Sequence, residues 1–277
     1  MRKLLSANFS RLWKNKVFWI GMIVMAGFAA IERVLIYTEI RRGNPQTLDV
    51  NFYAFTILIG IVLAVFCSLF IGTEYSDGTI RNKITVGHTR ISVYLSNLIL
   101  CSAAGLFMCA AYIVTTLIIG VPLMGFLQAG IMETLLTVIC CVVLSVAFSA
   151  FFVLISMLCQ NKAIVAVISI LAAFFLLFMG IHVYSRLNEP EVYSVYEATI
   201  NGEGQETDTV ENPLFLKGAK RQLYEFFYDF LPGCQSLRLS GMMNNPDPSF
   251  RLAGYSLLIV VLTTGCGLVF FQRKDLK

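Results

Sequence analysis

The chain has 277 residues, 57% of them apolar and 14% charged, with a mean hydropathy of +0.74. A soluble domain needs only about 45–50% apolar residues, and the excess here is gathered into long uninterrupted runs, which points to lipid as the solvent. The net charge of +4 is too small to suggest a nucleic-acid partner, so where the charges lie matters more than their sum.

The chain opens with a basic amphipathic stretch over residues 1–16. Leu4, Leu5, Phe9, Leu12 and Trp13 recur at helical spacing, while Arg11, Lys14 and Lys16 fall off that stripe. Such a pattern predicts an interfacial helix, with Trp13 and Trp19 near the headgroups. The first apolar run that follows exceeds the 7–15 residues of a signal sequence and lies behind this basic segment, so it is expected to be retained.

A hydrocarbon core about 30 Å thick takes about 20 apolar residues to cross. Six runs satisfy that length: 17–36, 53–72, 94–120, 131–158, 163–183 and 252–271. The fold class expected is therefore all-α membrane protein with six transmembrane helices, an N-terminal interfacial helix and outer helices between spans five and six. The corresponding divisions are 1–16, 17–183, 184–250 and 251–277. With the N-terminus inside, the inner segments hold twelve basic residues against Glu74, Asp77 and Asp275, whereas the outer side holds nine basic and fourteen acidic ones. This bias predicts an N-in, C-in topology.

The inner loop at 73–93 after span two carries clear punctuation. Asp77-Gly78 marks a turn, Thr79 to Val86 can make two helical turns ended by Gly87, and Thr89 can cap span three. Ile80 and Ile84, four residues apart, give the short helix an apolar ridge between Arg81 and Lys83.

Outside, Tyr184 to Asn212 carries seven acidic residues against Arg186 and reads as mobile chain. Beyond it, Leu223, Phe226, Phe227, Phe230 and Leu231 form an i, i+3, i+4, i+7, i+8 stripe, ended by Pro232-Gly233. An apolar stripe there must rest on the outer leaflet, re-enter it, or meet a partner.

Enzymatic chemistry finds little support. Glu32, Arg33, Glu133, His182 and Arg251 fall at the outer ends of spans, where they are expected to act as interfacial anchors. No HExxH or Walker A pattern is present, and no charged residue is expected at mid-depth, which weakens ion-coupled transport. Seven of the eight cysteines lie in or beside spans, leaving Cys234 without a disulfide partner outside. The driving force is expected to enter through contact with another subunit.

Glu74-Tyr75-Ser76-Asp77-Gly78-Thr79-Ile80-Arg81, followed by Gly87-His88-Thr89-Arg90 and by Tyr94, resembles the signature of ABC type-2 transporter permeases. The resemblance covers about ten positions in order, between spans two and three, and extends to the six-span layout. It implies a permease subunit in the bacterial cytoplasmic membrane, paired with a second permease copy or paralogue and served by cytoplasmic ABC ATPase subunits. ATP and Mg would bind those partners, and no cofactor would bind this chain. Glu74, Tyr75, Gly78, Thr79, Ile80, Arg81, Lys83, Ile84, Gly87 and Arg90 would form the ATPase-coupling segment. Leu223, Phe226, Phe227, Phe230 and Leu231 would belong to an extracellular gate. Many relatives place a lysine where this chain has Asn97, which puts a charge contact there in doubt. An exporter of amphipathic or hydrophobic compounds is implied, with antimicrobial or other short peptides the leading cargo. A non-transporting immunity or sensor protein that binds a peptide outside, and an ion-coupled transporter, are the alternatives.

Overall fold

The computed structural model describes residues 2–198, 204–243 and 246–275. Its order is α1 (Arg2–Trp13), α2 (Lys16–Arg41), α3 (Phe55–Ser76), α4 (Thr79–Thr85), α5 (Arg90–Met124), α6 (Ile131–Leu158), α7 (Lys162–Leu187), β1 (Val192–Ala198), β2 (Gly204–Glu211), α8 (Gly218–Phe230), α9 (Pro232–Ser240) and α10 (Phe250–Arg273).

Among the described residues, α2, α3, α5, α6, α7 and α10 are long and apolar enough to cross a membrane. Each matches one of the six expected spans, most of them extended by a few residues at one or both ends. Their ends are set by local chemistry. Asn15 Oδ1 accepts from the Val17 and Phe18 amides at the start of α2, and Asn161 Oδ1 does the same for Ala163 and Ile164 at the start of α7. Thr89 caps α5 as expected, its Oγ1 accepting from Ser92 N at 3.2 Å.

Helix α3 lies at the centre, packing on α2, α5, α6, α7 and α9, while α2 leans on α5 and α10 on α6. The outer helices keep broad apolar faces open, as a bundle in lipid does; Ile23 and Val24 on α2, Leu171 and Phe175 on α7 and Val261 on α10 are exposed. Helices α1 and α4 and the C-terminal end of α10 share one face of the bundle, here called the terminal face.

On the opposite face, α8 and α9 form a helical hairpin. Helix α8 meets two neighbours, and the aromatic part of its stripe faces one of them. Phe226 stacks on Phe230, and both meet the Tyr255 edge on α10, whereas Tyr224 and Tyr228 sit beside His182 and Tyr184 of α7. Pro232-Gly233 ends α8 and also starts α9, with Pro232 in its first turn. The apex re-enters the bundle: a Cβ on Gly233 would lie 1.8 Å from the Leu176 carbonyl oxygen, so only glycine allows this crossing of α9 on α7. Thr56 donates to the Ser236 carbonyl at 2.7 Å, and Ser256 to Gln235 Oε1 at 2.6 Å, tying α9 to α3 and α10.

The acidic stretch expected to be mobile instead contains an antiparallel hairpin, with Val192 paired to Glu211 and Ala198 to Gly204. Residues 199–203 of that expectation lie outside the described residues. Alternating Val-Tyr-Ser-Val-Tyr and Thr-Asp-Thr-Val segments suit extended pairing, a signal outweighed in the sequence by the density of acids.

A second expectation is corrected at the end of α2. Arg33 does not reach for headgroups; it is fully buried and donates to the carbonyls of Leu48 at 3.2 Å and Val50 at 2.9 Å. Glu32 is also buried and accepts from the Tyr112 hydroxyl. The chain between α2 and α3 folds back over Arg33 and supplies the carbonyls that it meets. Glu133, His182 and Arg251 are exposed.

Candidate functional site

The site builds around Glu74, two residues before the end of α3. Its side chain is fully buried, yet it is a carboxylate, and it is met by residues from three other elements. Arg11 of α1 and Lys83 of α4 both bond its Oε1, and Asn97 of α5 donates to its Oε2 at 3.0 Å. A buried carboxylate survives only when its lone pairs are met in this way.

Each partner is itself held. The second Arg11 nitrogen donates to the Phe70 carbonyl at 2.7 Å, and its guanidinium lies 4.1 Å above the Phe70 ring. Lys83 also donates to Asn8 Oδ1 at 3.0 Å, and Asn8 passes the chain on to Ser96 Oγ at 3.2 Å. Thr79 Oγ1 closes the loop by donating to the Glu74 carbonyl at 3.0 Å. Helix α1, the short helix α4 and two spans are thus joined through one carboxylate.

Two more anchors secure the same face. Tyr75 donates to the Met157 carbonyl at 2.6 Å, and Lys274 donates to both Tyr75 Oη (3.1 Å) and Met157 O (3.0 Å), its ammonium 4.4 Å from the Tyr75 ring. Burial holds the Lys274 amine down at about 8. Arg90 donates to the carbonyls of Phe271, Gln272 and Lys274, a cation at the C-terminal end of α10 where free carbonyls and the helix dipole favour one.

The expected segment is therefore brought together, with its faces assigned differently. Gly78 and Gly87 take left-handed φ values of 65° and 101° and bracket α4 as the punctuation suggested. Ile80 is 1% exposed and sits in the core, and Ile84 packs against it, so their ridge points inward. The outward face is Asp77, Arg81, Asn82, Thr85 and Val86, the last 79% exposed. Lys83 is committed to Glu74 and is not a free surface charge. Arg11, Asn8 and Asn97 were not singled out as site residues. The one available signal was Asn8, a polar residue four positions from both Leu4 and Leu12 on the apolar side of α1. Asn97 supplies a neutral donor to the carboxylate.

Far from this cluster, the gate candidates on α8 divide by exposure: Leu223 and Phe226 are about half exposed, and Phe227, Phe230 and Leu231 partly covered. Beside them Arg238 of α9 pairs with Asp229 and Asp247. A cavity of about 320 Å³ opens on this face, lined in part by Asp49, Tyr53, Glu133 and Thr137.

The family model described as ABC-2 family transporter protein matches residues 4–180. The chain belongs to that family. The match spans α1 through most of α7 and so takes in the whole Glu74 cluster except its Lys274 neighbour. No curated protein matches the chain. As an ABC-2 member with six apolar helices, it is a multi-pass membrane protein and the membrane component of an ABC transporter.

Proposed function

We propose that the chain is the permease half of an ABC exporter, with the terminal face in the bacterial cytoplasm and α4 as the element that receives force from a separate ATPase subunit. ATP and Mg belong to that partner, and two permeases together enclose the path. The observation that carries this reading is the Glu74 cluster. A helix of seven residues, too short to be stable alone, is pinned by its inward side to α1, α3 and α5 while its outward side stays open. A push on that side reaches two spans and the interfacial helix through contiguous buried contacts.

The cargo proposed is an amphipathic or hydrophobic compound, with short peptides first, moved outward. The apolar faces left open on the spans support lateral entry from lipid, and the α8–α9 hairpin supports a closure on the outer side, with Phe226 and Phe230 against Tyr255.

Arg81→Glu tests the coupling. Arg81 is exposed and its side chain makes no hydrogen bond among the described residues, so the variant should insert and fold normally yet lose stimulation of the ATPase in proteoliposomes. Full ATP-driven transport by Arg81→Glu, or by the permease reconstituted without any ATPase, would refute the reading. Ile80→Asp is unsuited to this purpose, because it buries a carboxylate in the core and tests folding instead.

A further inference from the structure

Where the end of α3 meets the start of α7, the two spans leave an open groove of about 570 Å³ between them. Its lining changes along the helices. Ser76, Asn161 and Lys162 stand at the span ends and form a polar mouth. Leu69 lies on α3 about 10 Å deeper than Ser76, at 1.5 Å per residue, and with Ala163 and Ala166 of α7 it forms an apolar floor. None of the lining residues is acidic.

The mouth carries donors without partners. Lys162 is pressed against Gly72, where an added Cβ would lie 3.0 Å from Lys162 Cγ and 3.2 Å from its Cα. Its stem is thereby held beside α3, yet the residue is exposed and its ammonium has no partner among the described residues. Asn161 commits its Oδ1 to the Ala163 and Ile164 amides, which leaves its Nδ2 as a second open donor. Gln160, at the edge, is already engaged, donating to the Asp275 carbonyl at 2.9 Å.

We propose that this groove binds one anionic phospholipid of the adjoining leaflet, with the phosphate on Lys162 and Asn161 and an acyl chain along Leu69, Ala163 and Ala166. Two observations select that occupant. The mouth offers a cation and a neutral donor with no carboxylate among its lining residues, so it favours a net negative headgroup over a zwitterionic one. The lining passes from polar to apolar with depth, in the same order as a phospholipid, whereas a free phosphate would leave the floor uncovered. The small side chains at 163 and 166 leave the width that an acyl chain needs. A lipid seated there touches both spans and ties their ends together. The site requires only that these span ends meet a membrane surface, so it is independent of the coupling role of α4 and of which leaflet the terminal face adjoins.

Native mass spectrometry of the purified full chain tests this, after exchange into phosphatidylglycerol or phosphatidylcholine of identical acyl chains. The expected result is preferential retention of one phosphatidylglycerol. Lys162→Gln should lower that preference about fivefold, Lys162→Arg should keep it, and Lys14→Gln, an exposed cation on the same face, should leave it unchanged. As a second measurement, phosphatidylglycerol nanodiscs should raise the thermal midpoint of the wild type above its value in phosphatidylcholine. Lys162→Gln should match the wild type in phosphatidylcholine and lack the rise. Equal retention of the two lipids by the wild type, or an undiminished preference in Lys162→Gln, would overturn the proposal. A rise in midpoint produced equally by inorganic phosphate would also overturn it, in favour of a simple anion site.

Discussion

Replacing Glu74 by glutamine keeps the shape of the side chain and removes its charge. The carboxylate is fully buried, while the Arg11 and Lys83 side chains are 30% and 17% exposed. Breaking a fully buried ion pair costs about 3–5 kcal/mol. Here both cations retain other partners, the Phe70 carbonyl for Arg11 and Asn8 for Lys83, and water reaches each of them. Screening at such partly exposed groups reduces the figure to about 2–3 kcal/mol. The loss falls locally, because it separates α1 and α4 from α3 without emptying the core. At about 1.4 kcal/mol per factor of ten, opening of those two helices should become about 30- to 140-fold more frequent. Hydrogen exchange read by mass spectrometry in lipid nanodiscs measures this directly. Amides of α1 and α4 should lose protection by that factor while the middle of α3 and α6 is unchanged. Adding Lys83→Met to the Glu74→Gln variant should cost less than adding it to the wild type, because the pair is already broken. Unchanged protection of α1 in Glu74→Gln would refute the claim that this carboxylate joins the two helices.

Arg33→Met should lower stability by about 2–4 kcal/mol, since it frees two carbonyls and leaves Glu32 buried without its neighbouring cation; a fall in thermal midpoint in detergent checks it, with Arg33→Lys intermediate. Gly233→Ala should disrupt the α8–α9 hairpin, because the added methyl collides with the Leu176 backbone; protease cleavage between α8 and α9 should increase, while Gly218→Ala, in open space but with φ of +61°, should cost only about 1 kcal/mol of local strain. Lys274 is depressed to about 8 in the folded protein against 10.5 when free, so between these values the unfolded chain binds more protons and stability rises with pH. Relative to Lys274→Met, the wild type should therefore gain stability from pH 8 to 10, read as a pH-dependent difference in thermal midpoint. Burial pushes the Cys234 thiol up to about 12, so it should resist maleimide at pH 7.5 in the folded protein and react on denaturation.

Six spans were legible in the amino-acid sequence because crossing lipid is a local demand: about twenty apolar residues in a row meet it whatever their neighbours do. The limits of α4 were legible for a similar reason, since glycines at 78 and 87 permit the backbone that stops a helix. The α8 stripe announced a helix with one apolar side. None of this required knowledge of what lies across the bundle.

Which face a residue turns inward did require it. Arg11, Lys83 and Asn97 are far apart in the chain, and each reads alone as a basic or polar residue near a membrane surface. They meet because α1 packs on α5 and reaches the end of α3 through Arg11, an arrangement that the hydropathy of any one helix does not encode. The inward turn of Ile80 follows from the same packing, as does the burial of Arg33 under a loop that brings its own carbonyls. Hydropathy and charge bias report the transfer of single segments between water and lipid. The pairing of a buried charge with its partners is a property of the assembled tertiary structure, and there the terminal face of this ABC-2 protein took its form.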